Sequence, residues 1–248
     1  MLVLFTDFGS QDPYVGQLRM RLAELAPNVP CIDLLHEVPA FNAHAGAHLL
    51  DALKDTAPVG AILLCVIDPG VGSAREALVL EADGRWYVGP DNGLLSIVAA
   101  RATCARYRRI VWRPEHISAT FHGRDLFAPV AARLATGALP DDWLAPCSSA
   151  VEFAAGDLDR ILYIDHYGNA WTGLRASGMS EGATLGVAGR SLPQGGIYSE
   201  SAKGEAFWYA NSVGLVEVAA NRVSAAALLG LAVGDRVMSG ATGGGRLH

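Results

Sequence analysis

The run from Ala61 to Ile67 is apolar without interruption, is no longer than a strand, and is bounded by Gly60 and Pro69. Such a strand needs cover on both faces, which places it in the middle of a layered α/β sheet rather than in a half-exposed antiparallel one. It leads directly into Asp68-Pro69-Gly70-Val71-Gly72-Ser73-Ala74-Arg75, a glycine-rich loop that carries a carboxylate and, seven residues later, a guanidinium. Two other strand-like runs end the same way: Leu2 to Phe5 in Thr6-Asp7-Phe8-Gly9, and Arg85 to Val88 in Gly89-Pro90-Asp91-Asn92-Gly93. Open α/β sheets hold ligands at the carboxyl ends of their strands. The three acidic loops are therefore expected on one rim.

Strand-like and helix-like segments alternate from residue 1 to about 137, as they do in an α/β layered domain with a largely parallel central sheet. Asp12-Pro13 opens a helix through Leu18, Leu22 and Leu25, and Phe41 to Leu53 makes a second one. Ala82-Asp83-Gly84 turns a hairpin, Asp91-Asn92-Gly93 caps a helix through Ala100, and Asp125 begins a helix that runs to Thr136. Residues 138–157 hold prolines and no clear period, and read as an interdomain linker. From 158 to 239 short strands alternate with glycine turns, which predicts a smaller domain built as a β-barrel or a sandwich, and the glycine-rich tail 240–248 is expected to be disordered.

With 51% apolar residues in 248, the chain can bury a core without a metal or disulfide. A net charge of −6, with no basic block, argues against nucleic acid or an anionic membrane as partner. Cys31, Cys65, Cys104 and Cys147 are far apart and form no C-x-x-C pair, which fits reduced thiols in a cytoplasm. Met1 runs straight into a strand without a basic leader, and Ala225 to Val233 is too short to span a membrane. A soluble, unexported protein is expected.

The densest polar cluster is Thr120-Phe121-His122-Gly123-Arg124-Asp125. Asp125 has a plain explanation as a charge at a helix start. His122 stands beside a glycine in a loop, where an imidazole is more readily functional than packed. Asp68, Arg75 and His122 together could orient and activate a water. Equally, Asp68 and Arg75 could be no more than an ion pair closing their loop. His44 and His48 share a helix face, but no acidic partner follows in a zincin pattern, so a metal site is not expected. Further on, Asp165-His166-Tyr167-Gly168-Asn169, Tyr198 and Asn211-Ser212 gather hydrogen-bonding and stacking groups suited to a purine.

Taken in order, Thr6-Asp7-Phe8-Gly9, Asp12-Pro13-Tyr14-Val15-Gly16, His36-Glu37-Val38-Pro39, Asp68 to Gly72 with Arg75, Pro90 to Leu95, Thr120 to Asp125, Asp165 to Asn169, Asn211 to Leu215 and Ser224-Ala225-Ala226 resemble the S-adenosyl-L-methionine hydroxide adenosyltransferases. The resemblance implies a larger amino-terminal α/β domain, a smaller carboxy-terminal β-barrel, and a homotrimer with active sites between the first domain of one subunit and the second of its neighbour. It also implies attack of water on the 5′ carbon of S-adenosyl-L-methionine, releasing adenosine and L-methionine without a cofactor. In that scheme Asp68, Arg75 and His122 handle the water and Asp7 takes the ribose hydroxyls. Asp165 and Ser212 hold the methionine end, Asn169 reads the adenine edge, Tyr167 and Tyr198 flank the base, and Asn211 is adjacent.

Halogenases on the same scaffold use halide in place of water and lack the triad histidine, so His122 favours hydrolysis. Val213 stands where those relatives carry an arginine after the serine, and Thr172-Gly173 replaces a more usual Thr-Asn. Two other classes compete: a non-catalytic nucleoside or S-adenosyl-L-methionine binder, and a metal-dependent hydrolase of the glycosidic bond.

Overall fold

A computed structural model describes residues 1–195 and 202–240 of the chain, which divides into two compact units, Met1–Ala155 and Gly156–His248. Tyr198 lies outside the described residues. So does the expected disordered tail, except for Gly240, which ends a strand.

In the first unit the elements run β1 (Leu2–Thr6), α1 (Pro13–Leu25), β2 (Cys31–Leu35), α2 (Ala43–Leu53), β3 (Ile62–Val66), β4 (Ala77–Ala82), β5 (Arg85–Pro90), α3 (Ser96–Arg101), β6 (Ala105–Ile110), α4 (Ala128–Ala135) and β7 (Leu144–Pro146). They form one seven-stranded sheet in the order β2-β1-β3-β5-β4-β6-β7. The run β2-β1-β3-β5 is parallel, and β4, β6 and β7 extend it antiparallel. Every residue of β1 and β3 is buried, as the uninterrupted apolar runs require. Leu18 and Leu22 of α1 and Val130 and Ala131 of α4 pack with Leu2, Leu4 and Leu64 of the sheet in one apolar cluster.

The strand order fixes where the site can be. From β1 the chain first adds β2 on one side and then crosses to add β3 on the other. The order therefore reverses between β1 and β3, and at such a point the loops leave in opposite directions and open a crevice. Asp7 follows β1 and Asp68 follows β3, so both arrive at that crevice.

Several expectations need correction. The second helix starts at Ala43, not Phe41, because Asn42 accepts from Ala45 N at 3.0 Å and caps it. Phe41 precedes the cap with φ +62. Residues 138–155 belong to the first unit, where Leu144–Pro146 pairs with β6 at the sheet edge. The helix expected from Asp125 begins instead as a π-helical turn over Gly123–Phe127 that runs on into α4. The hairpin is as expected: Asp83 and Gly84 both have positive φ, +45 and +76, the geometry of a type I′ turn.

The second unit carries β8 (Leu158–Ile164), β9 (Ala170–Arg175), β10 (Thr184–Val187), β11 (Arg190–Leu192), β12 (Ala206–Ala210), β13 (Leu215–Ala220), α5 (Ala225–Leu229) and β14 (Val237–Gly240). These make two antiparallel sheets, β12-β13-β9-β8 and β11-β10-β14. Trp208, Val216, Val218, Leu185 and Val237 share the core between them. Strand pairing shows two separate antiparallel sheets here and does not by itself show the closed barrel that the resemblance implies. Ser224 caps α5 by accepting from Ala227 N at 3.0 Å, and Gly230 ends it at φ +67. No described helix is long and apolar enough to cross a membrane.

Candidate active site

A cavity of about 350 Å³ opens at the crevice of the first unit, lined by Asp7, Asp68 and His122 together with Phe8, Tyr14, Phe41 and Phe121, among others. Asp68 and Arg75 face each other across their glycine loop. Arg75 Nε donates to Asp68 Oδ1 at 2.7 Å, and Nη2 donates to Oδ2 to complete a bidentate pair. Their side chains are only 5% and 10% exposed. The loop is held close by Gly72, at φ +80, where an added Cβ would strike the carbonyl oxygen of Ala119.

The same Nη2 of Arg75 lies 3.1 Å from His122 Nδ1. A guanidinium can only donate, so Nδ1 is the acceptor and the neutral ring carries its proton on Nε2. Burial, and next the positive charge of Arg75, hold the His122 pKa below its ordinary value, with the charge of Asp68 acting in the opposite direction. The geometry thus keeps His122 neutral with a fixed tautomer. The π-helical turn starts at the residue after it, an irregularity common at functional sites.

Asp7 meets the cavity from the other strand. Its Oδ2 accepts from Phe41 N at 3.0 Å, which leaves Oδ1 for a ligand. Burial raises its pKa, the hydrogen bond from Phe41 opposes that rise, and the Asp68 charge adds to it. Thr6, fully buried beneath, is tied to His36 Nδ1 at 2.8 Å and accepts from Phe8 N at 3.2 Å, which fixes the end of β1. Asp125 has the plain role: it accepts from Ser118 N at 2.8 Å and pairs with Arg124.

In the second unit Asp165 organises its own loop. Oδ1 accepts from Tyr167 N and Asn169 N, both at 2.9 Å, and Oδ2 from Asn169 Nδ2 at 3.1 Å. A second cavity, of about 810 Å³, is lined by Tyr167, Asn169 and the stretch Ala220 to Ser224. Tyr167 is 76% exposed and Asn169 is buried, so one offers a face and the other an edge. Asn211 Oδ1 accepts from Val213 N and Leu215 N at 3.1 and 3.0 Å and builds the turn from β12 to β13, with Ser212 exposed at its tip. Neither lines that cavity.

Among the described residues no group of three or more His, Cys, Asp and Glu is placed to hold a metal. His44 instead packs on Phe153, with ring centroids 4.3 Å apart. Two sets of lining residues go unselected by sequence reasoning. The aromatics Phe8, Tyr14, Phe41 and Phe121 look like core material in the sequence, and Asn221-Arg222-Val223 carries no motif; the left-handed φ of +61 at Arg222 shows only in the structure.

Comparison with known proteins adds the following. The SAM hydroxide adenosyltransferase N-terminal domain family matches residues 2–143, and the corresponding C-terminal domain family matches residues 159–238. The chain is 39% identical to an (R)-S-adenosyl-L-methionine hydrolase of Thermus thermophilus, covering 92% of this chain and 95% of that protein. A protein of the same name from Salinispora tropica is 38% identical, over 94% of each. A fluorinase of Nocardia brasiliensis is more distant, 24% identical over 91% of this chain and 92% of its own. Among solved structures, an uncharacterized conserved protein from Thermotoga maritima superposes with a TM-score of 0.85 at 28% identity, covering 96% of this chain and 98% of that one.

Proposed function

The chain belongs to the S-adenosyl-L-methionine hydroxide adenosyltransferase family, and we propose that it is an enzyme that hydrolyses S-adenosyl-L-methionine to adenosine and L-methionine, with the R configuration at sulfur preferred as in its named relatives. The observation that carries this reading is the Asp68-Arg75-His122 array, in which Asp68 and His122 line a cavity together with Asp7 and Arg75 bonds to both.

The chemistry suits these residues. A sulfonium leaves as a neutral thioether, so no general acid, metal or cofactor is needed. The site has to align a water, strip it of bulk solvent and take its proton. Arg75 occupies one lone pair on each Asp68 oxygen, and a carboxylate has about four, so Asp68 retains capacity to accept from the water. His122, neutral and protonated at Nε2, supplies a donor to the same oxygen. One lone pair of that oxygen then remains to attack the 5′ carbon, and the proton released in forming the 5′ hydroxyl passes through Asp68 to solvent.

Asp7 takes the ribose hydroxyls through its free Oδ1. Asn169 contacts the adenine edge, Tyr167 stacks on the ring, and Asp165 and Ser212 hold the amino-acid end next to Asn211. The family resemblance supports a homotrimer with sites shared between neighbouring subunits. The 350 Å³ cavity of the first unit is in keeping with this, since it is near the lower limit for ligand pockets, roughly 300 Å³. The isolated bridges Arg160–Arg236 and Gln194–Trp208 support a barrel closed through both sheets of the second unit. Four free thiols and the metabolite substrate fit a cytoplasmic enzyme.

The test is to incubate the purified protein with each sulfonium epimer at several chloride concentrations and separate the products by chromatography. Adenosine and methionine in equal amounts support hydrolysis. 5′-Chloroadenosine would make the protein a halogenase, and retention of substrate without product would make it a binder.

A further inference from the structure

We propose that the aromatic side chains Phe8, Tyr14 and Phe41 around the Asp68 cavity recognise the positive charge of the sulfonium and select charged substrate over neutral thioether. The inference rests on the S-adenosyl-L-methionine reading above and adds a specificity element to it.

A sulfonium has no proton to donate, so only negative charge or electron-rich surface can recognise its cation. Little negative charge is free near the water-handling array. Asp68 is offset by its bidentate pair with Arg75, and His122 is neutral. Asp7 is committed in part to Phe41 N, and Asp12, which lines the same cavity, is exposed to solvent that screens its charge. Rings make up much of the remaining wall. Phe8, Tyr14 and Phe121 form a closed triangle, with centroid separations of 5.9, 5.7 and 5.6 Å and tilted or edge-on planes. That arrangement satisfies the ring edges and holds each ring in place. Phe121 already carries the Arg124 guanidinium 5.0 Å from its centroid and is 8% exposed, so it serves as scaffold.

Tyr14 is 47% exposed and Phe41 is 77% exposed. Water-facing aromatics at the mouth of a cavity cost free energy unless something covers them. Phe41 also sits at φ +62, a conformation bulky residues avoid, while its own N–H anchors Asp7. Strain and exposure at one cavity-lining residue point to a ligand role, and a cation over ring faces is the interaction these groups offer. Hydrolysis turns the sulfonium into an uncharged thioether. The rings therefore lose their attraction when the bond breaks, which favours methionine release.

The experiment compares binding of two unreactive probes by calorimetry. One is the aza analogue, in which a methylated amine, protonated at the assay pH, replaces the sulfonium; the other is S-adenosyl-L-homocysteine, the neutral thioether. Phe41→Leu and Tyr14→Leu keep apolar bulk and remove the ring, and both side chains are exposed enough that folding is not at stake. The proposal predicts that each substitution lowers the ratio of aza-analogue to thioether affinity by about five-fold. Parallel losses for both probes would overturn it, because the rings would then act by shape alone, and so would unchanged ratios. If the wild-type protein binds neither probe, the substrate reading itself fails.

Discussion

Asp68→Asn separates a catalytic pair from a loop clasp. The substitution keeps the shape of the side chain, removes its charge, and leaves Arg75 without a counter-ion. With side chains 5% and 10% exposed, solvent screens this pair little. Removing one partner of such a pair costs roughly 3–5 kcal/mol, and the retained amide oxygen puts this case near about 3 kcal/mol. For a unit of this size that corresponds to a fall of about 6–12 °C in its unfolding midpoint. If Asp68 also accepts the proton of the attacking water, kcat/KM falls by about 10²–10⁴ at a temperature where the variant remains folded. Arg75→Ala strands the carboxylate instead. The double variant removes both charges and should be no less stable than either single one. Calorimetry and product chromatography on the three variants read both effects. A stability loss with kcat/KM within a few-fold of wild type would reduce the pair to a clasp, and strictly additive losses would refute the coupling.

His122 works in its neutral form, and burial and Arg75 hold its pKa below the ordinary histidine value; kcat/KM is therefore flat near neutrality and falls only as pH drops through that lowered pKa. In Arg75→Gln the positive neighbour is gone and the acid limb should move to higher pH, whereas an unmoved limb would contradict the coupling. Asp7→Asn should raise KM much more than it lowers kcat, because its carboxylate binds rather than reacts. Asp7 has a raised pKa, so its ionised form disfavours folding above that pKa, and the variant should be at least as stable as wild type at neutral pH in a urea titration. Arg101 Nε and Nη2 hold the Ala155 carbonyl at 3.0 and 2.9 Å while Nη1 meets buried Asp51 at 2.6 Å. Arg101→Ala should cost about 2 kcal/mol and speed amide exchange near residue 155; unchanged exchange would show that the stretch is held by other contacts.

Much of the first unit can be read from the chain because its strands are buried on both faces. Leu2 to Phe5 and Ala61 to Ile67 announce themselves, and the acidic loops after them follow from the connectivity of a parallel sheet. Asp68, Arg75 and His122 are visible as candidates because each stands in or beside a glycine loop, although for Asp68 and Arg75 a loop-closing ion pair reads equally well from the sequence. Other features depend on tertiary context. Leu144–Pro146 is a strand only because the exposed edge of β6 is there to pair with it, and its proline fits an edge. Phe41 looks like the first turn of a helix, yet the Asn42 cap ejects it into the cavity mouth. Thr172 and Glu217 are fully or almost fully buried polar residues whose partners, the Val216 carbonyl and the Tyr209 hydroxyl, come from neighbouring strands. No local pattern gives that away.

The most direct test of the central claim is to run the reaction in water enriched in heavy oxygen and analyse the nucleoside by mass spectrometry. Water attack at the 5′ carbon predicts one heavy oxygen in adenosine, retained as the 5′ hydroxyl, and none in methionine, with the signal lost in His122→Ala. Release of free adenine, or adenosine without the label, would contradict the account.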